Sequence, residues 1–154
     1  MTAHARSADA GTTTLSDREC RALLAQTTVG RIGFVADGLP VILPVNYRVG
    51  DIGGGLWIVL RVRADHAIDN APDFVAFEID GIDADRREGW SVLVRGALHH
   101  LDEQQIEQLA LVADPAPWPQ DERTSWIAVK SRTISGRRIT GPGLEWAFST
   151  DAYL

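Results

Sequence analysis

The 154-residue chain is 45% hydrophobic and 23% charged, with a formal net charge of −6, the composition of one soluble globular domain. The acidic surplus argues against a nucleic-acid partner, and no stretch approaches the ~18 apolar residues that a membrane span needs. Cys20 is the lone cysteine, which excludes an internal disulfide framework and fits a reducing, cytoplasmic setting.

Residues 1–13 are rich in Ala, Thr, Ser and Gly and read as a flexible tail ahead of one domain over residues 14–154. A helix follows. Ser16 is placed to cap it, Asp17 lies in its first turn, and Glu19 stands three residues on in a capping-box position. Cys20, Leu23 and Leu24 give it an apolar face, so the cysteine reads as a packing residue, and Thr27-Thr28 end the segment. Residues 31–36, 40–49 and 56–62 then read as three antiparallel strands. Asp37-Gly38 is a tight turn pair between the first two, and Gly50 to Gly55 makes a looser connection to the third. GDIGGG has the composition of a phosphate-cradling loop, but it joins strands instead of opening a helix and is a turn. Within the second strand Val41, Leu43, Val45 and Tyr47 share one face, and Ile42 and Pro44 lie on the other. Both faces are apolar, as in a barrel strand covered on its outside.

Residues 65–71 suggest a short helix or turn, and residues 74–80 (FVAFEID) and 90–101 (WSVLVRGALHHL) read as strands. Residues 101–112 carry a helical pattern with Ile106, Leu109 and Ala110 on one face. Three prolines within residues 113–119 exclude regular structure there, and residues 126–133 (WIAVKSRT) supply a sixth strand before a connecting SGRRITG. The fold class is mainly β: a small closed antiparallel barrel with two or three short helices. Charge is uneven along the chain. From His99 to Glu122 there are six acidic residues and no Lys or Arg, whereas Arg123 to Glu145 holds five basic residues and one acidic. The basic segment suits an anionic ligand or an ordinary charged surface. His99-His100 cannot chelate one ion through both side chains, because successive strand residues point to opposite faces.

The blocks PVNY (residues 44–47), FEID (77–80) and GWSVLVRG (89–96), followed by SRTISGRRI, resemble the pyridoxamine 5′-phosphate oxidase-like proteins, the flavin-nucleotide-binding split-barrel family. The resemblance runs from about Leu15 to Ile139. It implies a six-stranded antiparallel split β-barrel that forms a homodimer with FMN in grooves at the dimer interface. A related actinobacterial branch uses the deazaflavin F420, a minority of members bind haem, and some bind nothing identified. The function implied is binding of a flavin-type nucleotide with oxidoreductase chemistry on a small molecule. The alternative is a cofactor-free, non-catalytic protein with a binding, sequestering or stress-related role.

The same resemblance marks a candidate cofactor wall. Asn46 and Tyr47 lie on the second strand, Leu60, Arg61, Val62 and Arg63 close the third, His66 follows in the loop, and Trp90 reaches the groove from the other subunit. A flavin phosphate needs fixed positive charge, which the planar fork of Arg supplies. Similar proteins end the third strand in Arg-Thr and place a Lys in the following loop. Here Arg61 matches the Arg, Val62 takes the Thr position and Ala67 falls near the Lys position, which leaves Arg63 and His66 as substitutes. Alternation puts Arg61 and Arg63 on one strand face, with Asp65 and Asp69 as competing partners. Arg95, inside an apolar run, requires a partner if buried, and Glu78 or Asp80 is expected to supply it. Arg137 and Arg138 either close over an anion or face solvent. A haem reading would use His66, His99 or His100 as axial ligand.

Overall fold

The computed structural model describes residues 11–63, 66–70, 74–110 and 124–140. In chain order these form β1 (Thr12–Thr14), α1 (Asp17–Gln26), β2 (Val29–Ala36), β3 (Leu39–Ile52) and β4 (Gly55–Arg63). A 3-10 turn (Ala67–Asn70), β5 (Phe74–Asp83), β6 (Glu88–His100), α2 (Glu103–Ala110) and β7 (Thr124–Ile139) complete the set. The strand order is β1-β7-β4-β3-β2-β5-β6, and β6 pairs back onto β7. That last ladder closes six strands into a ring, the split barrel expected from the sequence, with β1 laid against the outer end of β7. Every ladder is antiparallel. No helix among the described residues is long and apolar enough to cross a membrane.

Local chemistry sets the early elements. The Ser16 hydroxyl accepts from the Glu19 amide at 3.3 Å while Glu19 Oε2 accepts from the Ser16 amide at 2.9 Å, so two amide donors at the start of α1 are satisfied reciprocally. Asp37 and Gly38 both take positive φ, 50° and 78°, the backbone that a two-residue hairpin turn requires. β3 is the strand that changes partner. Its first half, through Asn46, pairs with β2, and from Tyr47 onward it pairs with β4.

Period-two alternation decides what lies inside. Ile58, Leu60 and Val62 of β4 join Phe77, Ile79, Val92 and Val94 in the barrel core, and Val41, Leu43 and Val45 pack against it from β3. Tyr47 is fully buried among them, its ring edge-on to Phe77 at 4.7 Å. Its hydroxyl donates to the Leu24 carbonyl at 2.7 Å and meets Thr27 Oγ1, which pins the end of α1 over the barrel mouth. Cys20 is buried as a packing residue, and that burial pushes its thiol pKa up. A smaller cluster lies on the outer side of β4, where Trp57, Val59 and Ala128 are capped by Leu101 and Leu109 from the α2 region.

Several boundaries differ from the sequence reading: β2 begins two residues earlier, at Val29, and β5 runs three residues further, to Asp83. β7 runs on through the SGRRI segment to Ile139 instead of ending near Thr133, because residues 133–139 continue the ladder with β6 after a register shift at Arg95/Gly96. Thr12 and Thr13, read as part of the tail, pair with Ile139 and Arg138 in β1. β3 also extends three residues further, to Ile52. The segments 1–10 and 113–119 lie outside the described residues.

Two substitutions test this account. Tyr47→Phe removes the hydroxyl that ties α1 to the barrel and is expected to lower unfolding free energy by about 1–2 kcal/mol in urea titrations; no loss would show that the tie is dispensable. Gly96→Ala would place a methyl 2.0 Å from the Lys130 carbonyl oxygen at the register shift, so a loss on the order of 1–3 kcal/mol is expected in the same measurement.

Candidate functional site

The β3–β4 ladder stops at Tyr47–Leu60, whereas the β4–β7 ladder continues to Arg63–Thr124. The end of β4 therefore stands where β3 turns away to join β2. Strand alternation sends Leu60 and Val62 into the core and turns Arg61 and Arg63 outward. Arg61 is half-buried and held on two sides. Its Nε donates to Thr124 Oγ1 at 3.0 Å, and its guanidinium lies 5.6 Å from the centre of the Trp126 ring. Trp126 is Arg61's register partner on β7, so the same ladder that closes the barrel fixes this cation. Arg63, two residues on, is exposed on the same face.

His66 follows directly. Its amide donates to the Arg63 carbonyl at 3.2 Å and its own carbonyl accepts from the Asp69 amide at 2.8 Å. The turn it opens is tied down at both levels. Ile68 is fully buried in the core, and Asp69 accepts from Ser125 at 3.4 Å while its other oxygen meets His100 Nε2 at 2.9 Å. His99, by contrast, lies 5.5 Å from the Trp57 ring at a tilt. The two histidines thus serve different neighbours.

The wall expected from the sequence is brought together in part. Asn46, Arg61, Arg63 and His66 have side chains outside the buried core, around the β3–β4 divergence. Tyr47, Leu60 and Val62 turn inward and would meet a ligand through backbone alone. Trp90 lies elsewhere in this chain: its indole covers Gly81, where an added Cβ would sit 2.6 Å from the ring. Its β7 partner is Arg138, twelve residues along the strand from Trp126, roughly 40 Å of strand length at 3.3 Å per residue. Sequence reasoning missed Thr124, Trp126 and the Asp69–His100 contact, all of which depend on registers between distant segments. The expectation for Arg95 is corrected as well. Arg95 is exposed and its Nε donates to Thr133 Oγ1 at 3.2 Å, while Glu78 and Asp80 are taken by Arg31 at 3.4 and 3.2 Å.

Chemically, the end of β4 carries two guanidinium groups on one strand face, and guanidinium groups suit a phosphate. It lacks the hydroxyl and ammonium expected at Val62 and Ala67. A separate concavity of about 650 Å³ lies on the outer face of the barrel, lined by Gly33, Val35, Ile42, Phe74, Ala76 and Arg95 among others. It is apolar and does not include the arginine pair.

The model of the pyridoxamine 5′-phosphate oxidase family matches residues 16–138. An uncharacterized protein of Mycobacterium tuberculosis is 33% identical over 130 residues, covering 79% of this chain and 81% of that protein. Among solved structures, a FAD-binding protein from Mycobacterium smegmatis is similar with a TM-score of 0.71 and 32% identity, over 83% of this chain and 98% of that one. A FAD-binding protein from Mesorhizobium loti shares the fold at a TM-score of 0.66 and 21% identity, over 84% and 99%.

Asp69→Ala removes the acceptor of both Ser125 and His100. Faster amide exchange is expected across residues 66–70, with β4 unchanged, in hydrogen–deuterium exchange measurements. Equal exchange in the variant would mean that burial of Ile68 and the backbone hydrogen bonds hold the turn without the Asp69 carboxylate.

Proposed function

Because the chain belongs to the pyridoxamine 5′-phosphate oxidase family, we propose that it is a homodimeric protein that binds a flavin-type nucleotide and carries out redox chemistry on a small molecule. The observation that carries this reading is the arginine pair at the end of β4, with Arg61 locked between Thr124 and Trp126. A cation held in one orientation loses little freedom when an anion docks, which favours phosphate binding over a mobile surface charge. The similar protein from Mycobacterium smegmatis is a FAD-binding protein, which supports a flavin-type ligand for this chain.

In this reading Arg61 and Arg63 hold the phosphate, His66 borders it from the loop, and Asn46 offers its amide to the edge of the ring system. A bound flavin supplies the electron transfer itself, while the protein supplies position and electrostatics. FMN and FAD share the groups that these residues meet, and the deazaflavin F420 is the further candidate. Trp90 joins the groove only from a second subunit, given its distance along the sheet from Arg61.

A second reading, a cofactor-free protein with a sequestering or stress-related role, is favoured by one specific observation. Val62 stands in the position of the usual hydroxyl and is buried in the core, and Ala67 stands near that of the usual lysine.

The visible spectrum of the purified protein, followed by titration with FMN, FAD and F420, separates the two. Flavin or deazaflavin absorption, or saturable uptake, is expected, and Arg61→Ala should weaken binding about tenfold or more, equivalent to at least ~1.4 kcal/mol. A colourless protein that takes up none of the three would falsify the cofactor reading.

A further inference from the structure

The short turn after β4 is held more firmly than its own backbone requires. Ile68 is fully buried, and the His66 and Asp69 amides donate to the Arg63 and His66 carbonyls at 3.2 and 2.8 Å. The Asp69 carboxylate adds two contacts that reach other strands. One oxygen meets His100 Nε2 at 2.9 Å, at the last residue of β6, and the other accepts from Ser125 Oγ at 3.4 Å, at the start of β7. Only 18% of the Asp69 side chain is exposed, against 61% for His100. Burying a carboxylate is unfavourable unless its partners compensate, so a carboxylate in this place calls for a reason beyond closing a turn.

Its surroundings supply one. Ser125 stands opposite Val62 in the β4–β7 register. The chain neighbours of Ser125 are Thr124 and Trp126, the two residues that hold the Arg61 guanidinium. Beyond Leu60 the described ladders support β4 from the β7 side alone, because β3 has turned away. The turn is bonded to this end of β4 through the Arg63 carbonyl, and within it the Ile68 amide donates to His66 Nδ1 at 3.4 Å. The place of His66 relative to the arginine pair is thus set by the turn, and Asp69 ties the turn sideways to β6 and β7.

Electrostatics runs the other way. A negative charge near a phosphate site repels the ligand, so charge alone gives Asp69 no part in binding an anion. Position does, since a group held in place loses less freedom when the anion docks.

We propose that Asp69 is a positioning residue of the anion site. Its carboxylate does not touch the phosphate; it braces the turn against Ser125 and His100 so that His66 stays beside Arg61 and Arg63. His100, at the end of β6, acts on the site through that carboxylate. The inference rests on the flavin-phosphate reading above and deepens it by naming what keeps the site in shape.

Titration of the full chain with FMN, FAD and F420, followed by cofactor fluorescence, tests it. Asp69→Ala is expected to weaken binding about fivefold, the opposite sign to the tighter binding that loss of a repelling charge predicts. Asp69→Asn removes the charge but keeps an acceptor for Ser125, and should return affinity to within about twofold of the wild type. In a His66→Ala background the Asp69→Ala change should cost little further affinity, since the group being positioned is gone. Unchanged or tighter binding by Asp69→Ala, no recovery in Asp69→Asn, or an equal loss in both backgrounds overturns the positioning role and leaves the flavin reading standing. A wild type that takes up none of the three overturns the flavin reading, and this role with it. If Asp69→Ala does not fold, Ser125→Ala and His100→Ala carry the test. Each should weaken binding about twofold with an unchanged melt, and wild-type affinity in both overturns the proposal.

Discussion

Closure of the sheet by β7 is the constraint on which the rest of the molecule depends. This 16-residue strand pairs with β4 through its first half, with β6 along most of its length and with β1 at its end. Closing a ring removes the edges that an open six-stranded sheet would present. It also determines what can stand beside what. Thr124 and Trp126 reach Arg61 only because β7 lies next to β4, and Ser125 reaches Asp69 from the same stretch. Lys130 has its carbonyl against Gly96 at the register shift, a place where no side chain fits. A strand serving two ladders at once cannot slip by one residue without turning several core positions outward.

Split of the barrel follows from β3. Its two halves pair with different neighbours, and the exchange occurs between Asn46 and Tyr47. The residue just before the exchange keeps its side chain outside the core, and the residue just after it is buried and hydrogen-bonded to α1. One strand therefore contributes both to the candidate wall and to the anchoring of the helix. A substitution at this point is expected to mix stability and binding effects, whereas Arg61, outside the core, allows the two to be separated.

Much of the fold was legible because it is encoded locally. The Ser16 and Glu19 spacing announced a reciprocal cap, Asp37-Gly38 announced a hairpin, and alternation from Val41 to Tyr47 announced the inner face of β3. The continuation of β7 past Thr133 was not legible, since Ser-Gly-Arg-Arg carries the composition of a loop. Gly136 is there because Cys20 and Leu15 from the α1 region press against it, the nearest atom 2.6 Å from where a Cβ would stand. Nothing near Gly136 in sequence reports that approach. The candidate site divides the same way. Alternation correctly separated Arg61 and Arg63 from Val62, but the side-chain hydrogen bonds described for Arg61, Asp69 and Arg31 reach 31 to 63 positions away. Distances of that kind are properties of the closed ring, not of any segment.

The short β1 ladder has a mechanical consequence. Thr12 lies opposite Ile139, and the Thr140 amide donates to the Gly11 carbonyl at 2.8 Å. The two chain directions leave this ladder at the same end. Tension drawn between Gly11 and Thr140 would load its hydrogen bonds singly, in the manner of a zipper, and not all together as in shear. β1 should peel away at low force before the barrel yields, so the domain presents a soft grip at its termini and a stiff ring behind it.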